Sequence, residues 1–127
     1  MNIPATGHAG LDEKREKILL ALEKVRELHD AGLRGDPLAA LANDALDYIE
    51  ACLGYEETLL AGLRWSGLPA HRALHDLWRE KARRLASGGM NRADDGEVFL
   101  EYAEKWWETH LLLDTGYARA IADAGLA

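Results

Sequence analysis

Apolar residues recur every three or four positions through most of the chain, the period of an amphipathic helix. Leu11, Ile18, Leu19, Leu22, Val25 and Leu28 mark one such stripe and predict a helix from about Leu11 to Ala31, ended by AGLRG. A second helix opens at Asp36 and Pro37, with Asp36 as N-cap and Pro37 at the first helical position, and runs to about Arg64. A third starts near Pro69 and stops at Ser87 to Gly89. After the turn-forming stretch GGMNRADDG, a fourth runs from about Glu97 to Ile121 and carries Phe99, Tyr102, Trp106 and Trp107. Strand-like alternation is almost absent, and there is no repeat or low-complexity tract. Four helices on mostly short connections favour antiparallel neighbours. The expected fold is all-α, an up-down-up-down four-helix bundle in a single domain spanning residues 1–127, with residues 1–9 as a short N-terminal arm.

Composition narrows the function. A chain of 127 residues, 48% of them hydrophobic, can bury one real core. The net charge of −7, with acids and bases interspersed, argues against nucleic acid, which wants a basic face. One cysteine, Cys52, excludes an internal disulfide and fits a reducing cytoplasm. The opening MNIPATGHAGLDEK has no apolar core of a signal peptide, and no apolar run approaches the ~18 residues of a membrane span. A cytoplasmic protein with no membrane or nucleic-acid partner is expected.

Candidate chemistry begins with HRALH. His71 and His75 stand four apart, so both imidazoles share one helix face, with Cβ atoms about 5–6 Å apart. The fourth helix offers His110 and Asp114, again four apart, and the second offers Glu56 with Cys52 one turn earlier. In an antiparallel bundle the end of helix two, the start of helix three and the second half of helix four reach one level. Helix one meets that level near Arg15. Taken singly, these residues read as a buried histidine, surface charge at Glu56 and Glu57, aromatic packing, and a small apolar filler at Cys52. Taken together they place three histidines and two carboxylates in one layer. Charged groups buried without a partner or a metal are costly there, so the conjunction points to a metal site.

The stretches LDEKR, YIEACLGYEE, HRALH, WETH and DTGY, spread over nearly the whole chain, resemble the motifs of the hemerythrin family, in particular its single-domain bacterial members. The resemblance implies a non-haem di-iron centre that binds dioxygen reversibly. His71, His75 and His110 would hold one iron, and Glu56 and Asp114 would bridge to a second iron that has two further histidines and an open position. Here those two histidine positions fall on Arg15 and Cys52. Arginine offers donors only and cannot ligate, and one thiolate does not replace two imidazoles. The spacing from His110 to Asp114 is also four where the family has five. Arg15 has two readings: a guanidinium that replaces the missing dication between the carboxylates, or a side chain pointing to solvent.

Three functions follow. The first is a degenerate, mononuclear three-histidine and carboxylate site that binds dioxygen or another small diatomic or peroxide ligand. The second is a full di-iron oxygen carrier with a non-standard second ligand set. The third is a metal-free or zinc-stabilised interaction bundle. None requires an enzyme. Ferritin-like oxidases need Glu-x-x-His on two helices, which this sequence lacks, and Cys52 has no neighbouring histidine for nucleophilic catalysis. Imidazole with carboxylate accepts several metals, zinc included, so iron, as one ion or two, rests on the resemblance.

Overall fold

The computed structural model describes residues 8–92, 94–113 and 115–125. Its helices are α1 (Ala9–Asp30), α2 (Asp36–Gly62), α3 (Leu68–Ala86), α4 (Asp95–Leu113) and α5 (Thr115–Asp123). No strand occurs among the described residues. α1 packs on α2, α2 on α3 and α3 on α4, and α4 returns to α1, so four long helices close a ring. This is the four-helix bundle that the apolar periodicity predicts. No described helix is long and apolar enough to cross a membrane.

Each helix buries one stripe. α1 buries Leu11, Arg15, Ile18, Leu22, Val25 and His29. α2 buries Leu38, Ala42, Ala45, Leu46, Ile49, Cys52, Leu53, Glu56 and Leu60, and α3 buries Leu68, His71, His75, Trp78, Ala82 and Ala86. Phe99, Leu100, Ala103 and Trp107 of α4 complete the core. At the end of the bundle where α2 meets α3, charged and imidazole residues take over the core positions of these stripes. The polar site is thus a layer of the core and not a surface cleft.

The helix ends differ from the expected ones in three places. α1 starts at Ala9, because Nδ1 of His8 accepts a hydrogen bond from the Leu11 amide at 3.3 Å and caps the first turn. His8 and Ala9 therefore form the helix start, and the rest of the expected arm, residues 1–7, lies outside the described residues. The cap of α2 is Gly35 and not Asp36, which is already helical. Gly35 has φ +74°, a conformation favoured by glycine, and its amide donates to the Met90 carbonyl at 2.8 Å, tying this turn to the α3–α4 connection. The fourth segment is described as two helices, α4 and α5, on either side of residue 114.

Candidate metal centre

Glu56 is the hub of the polar layer. It is 0% exposed and lies one turn beyond Cys52 on the buried face of α2. His71 Nε2 lies 2.5 Å from Glu56 Oε1, and His75 Nε2 lies 3.4 Å from the same oxygen. His110 Nε2, from the last turn of α4, lies 3.6 Å from Oε2. The phenol of Tyr117, on α5, donates to Oε2 at 2.9 Å. Arg15 enters from α1: Nη2 lies 3.7 Å from Oε2 and donates to the Tyr117 hydroxyl.

Three histidines and Glu56 thus offer ligand atoms that all lie within 4.8 Å of one another, every one of them buried. His71 and His75 meet edge to face with ring centroids 4.4 Å apart, and His110 stands 4.8 Å from His75. Trp106 stacks on the His110 ring at 4.8 Å with an interplanar angle of 10°. Trp65 closes the other side against His71 and Tyr117. Aromatic walls of this kind exclude water and strengthen electrostatic interactions inside the layer.

The charges are arranged around the Glu56 carboxylate. Burial pushes the Glu56 carboxyl up, but the imidazoles of His110, His71 and His75 around it outweigh burial and hold it well below the usual carboxylate range. Burial pushes His110 down to about 4, against the pull of Glu56, so its imidazole is uncharged at neutral pH. Glu56 is therefore stabilised by His110 as a neutral dipole and not as an imidazolium. His75 goes the other way: burial disfavours its cation, yet Glu56 and Glu57 on its two sides raise it above the ordinary value.

This donor set fits a first-row metal ion. Imidazole nitrogens and a carboxylate oxygen suit zinc or iron. His75 Nε2 is buried and makes no hydrogen bond among the described residues, although it faces the cluster. A buried polar atom without a hydrogen bond carries a desolvation cost that a ligand removes.

The structure brings together His71, His75, His110 and Glu56, as their level in the bundle predicts. Arg15 is 1% exposed, so the solvent-facing alternative for it is wrong: the Leu11, Arg15, Ile18 stripe points it inward. Cys52 is fully buried beneath Glu56 on the same helix face. Asp114 lies outside the described residues. Sequence reasoning missed two groups. Glu57, read as surface charge, accepts from His75 Nδ1 at 2.7 Å and is only 13% exposed. Tyr117 carried no assigned role, yet it links Arg15 to Glu56; the signal was DTGY, where the tyrosine falls seven residues after His110.

The chain is similar to bacteriohemerythrins of Pseudomonas aeruginosa strains LESB58 and UCBPP-PA14 and of Pseudomonas paraeruginosa PA7. Each is 24% identical over 119 residues, covering 91% of this chain and 76% of the relative. No family model and no solved structure matches. The similarity and the buried Glu/His cluster together support a hemerythrin-like metal-binding protein.

Proposed function

We propose that this hemerythrin-like chain holds one metal ion, iron in its functional state, through His71, His75, His110 and Glu56, with Asp114 as a further carboxylate ligand, and that it binds dioxygen or another small diatomic or peroxide ligand. The observation that carries the reading is the convergence of four buried donors, one of them a histidine nitrogen without a hydrogen bond, at a single point. A bound iron would supply a redox-active centre with affinity for such ligands. The chain's own residues would hold, orient and shield it.

Arg15 and Cys52 make the site mononuclear in this reading. The family places histidines of a second iron at these positions. Arg15 brings a fixed positive charge within 3.7 Å of Glu56, and Tyr117 orients the same carboxylate oxygen. A guanidinium beside that oxygen repels a second dication and occupies part of its volume. The zinc-stabilised bundle remains as the outcome in which the site takes zinc and no redox-active ion.

The test is His75→Ala. Because His75 supplies the nitrogen that lacks a hydrogen bond, its loss is expected to lower metal content on elemental analysis from one ion per chain to a small fraction. It also removes the rise in melting temperature that metal gives the wild type, since binding to the folded state alone adds to stability. Full metal content in the variant would overturn the ligand assignment.

A further inference from the structure

We propose that Glu57 is the positioning residue for His75, fixing which ring nitrogen faces the metal. The inference rests on the metal-site reading above, and it concerns a residue one position beyond the ligand Glu56. Adjacent helical residues point about 100° apart, so Glu56 and Glu57 serve different sides of α3. Glu56 turns into the core, at 0% exposure. Glu57 lies between the α3 face and the surface and reaches His75 from behind, with Oε2 2.7 Å from Nδ1.

Glu57 is itself held from outside. Arg79 Nη2 donates to the same oxygen at 2.8 Å, and Arg72 Nε lies 3.5 Å from its other oxygen. Arg79 also donates to both oxygens of Glu50, at 3.0 and 2.8 Å, and to Asp76 at 2.9 Å. This ion-pair group lines an open surface cavity of about 720 Å³ together with Gly54, Thr58 and Ala61. Glu57 is therefore a fixed carboxylate and not a mobile surface side chain. With Nδ1 donating to Glu57, the ring is locked and Nε2 is left facing Glu56, His71 and His110. A carboxylate accepting the outer N–H also makes the inner nitrogen a better electron donor to a metal, and removing such a partner typically costs about 10–100-fold in metal affinity.

The experiment uses the full chain, zinc as a redox-silent probe in competition with a chromophoric chelator, and the His75 Nδ1–H proton resonance of the zinc-loaded protein. Glu57→Ala is expected to lose about 10–100-fold in zinc affinity and to lose the protected Nδ1–H resonance, with unchanged helicity. Glu57→Gln keeps an acceptor oxygen without the charge. It is expected to retain most of the affinity and to shift the resonance upfield, because a neutral amide is the weaker acceptor. Should Glu57→Ala fail to fold, Glu57→Gln decides by that shift. Affinity within threefold of wild type in Glu57→Ala, or an unshifted resonance in Glu57→Gln, overturns the assignment. A wild-type chain that takes up no zinc overturns the metal-site reading and this assignment with it. Zinc binding by the wild type together with an unaffected Glu57→Ala overturns the assignment alone.

Discussion

His75 and His110 show how residues of one type diverge within a few ångströms. Both are buried imidazoles beside Glu56, but His75 has carboxylates on two sides and is pushed up, whereas burial drives His110 down to about 4. In the metal-free protein these two shifts make stability depend on pH. His110 stays neutral in the fold down to about 4, while in the unfolded chain it takes a proton below about 6.5. Its contribution is therefore present above 6.5 and lost as pH falls toward 4. The raised pKa of His75 acts on the alkaline side, since its contribution is complete below 6.5 and lost as pH rises through the folded value. Glu56, held low, adds acid sensitivity only below its unfolded value of about 4.5. Urea unfolding of the metal-free protein is thus expected to show a stability drop of about 3 kcal/mol between pH 6.5 and 4, the shift of His110 converted at 1.36 kcal/mol per unit. His110→Gln is expected to abolish most of that drop, and an unchanged pH profile in the variant would contradict the placement of His110.

Among the elements, the start of α4 is fixed against the end of α1. A Cβ added at Gly96 would lie 2.4 Å from His29 Cδ2, 2.9 Å from His29 Nε2 and 3.0 Å from Leu38 Cδ2. His29 is itself buried, so its ring has little room to yield. Arg26 clamps the same junction by donating to Glu97 at 2.7 Å and to Glu104 at 2.5 Å. Gly96→Ala is expected to destabilise by about 1–3 kcal/mol, read as a lower melting temperature without loss of metal at the opposite end of the bundle. A neutral or stabilising effect would mean that α4 can shift along α1, and that its register, which sets the level of His110, is loose. The elements are also where the sequence was most legible. Four stripes at helical spacing gave the four-helix ring, and chain direction alone put Glu56, His71 and His110 on one level. The exact ends were less so: the cap of α2 depends on a tertiary hydrogen bond from Gly35 to Met90, and the cap of α1 on a histidine outside the apolar stripe. Glu57 was invisible for a related reason. Its role arises only when α3 brings the second nitrogen of His75 against it, which no spacing along α2 reveals.

At the scale of the molecule, the bundle combines an apolar lower core with a polar layer at one end. Ile18, Leu22, Val25, Leu46, Ile49, Trp78, Phe99 and Trp107 fill the apolar core, and Trp107 meets the polar layer by stacking on His110. In the proposed reading, Arg15 is a cation supplied by the chain where a hemerythrin would carry a second iron. The central claim is that this substitution leaves one metal per chain. The most direct measurement is the metal-to-protein ratio, by elemental analysis, of the wild type and of Arg15→His with Cys52→His, each purified without added metal and then loaded anaerobically with ferrous iron. One ion per chain in the wild type and two in the double variant is the predicted result. Two ions in the wild type, none in the wild type, or one in the double variant would contradict it.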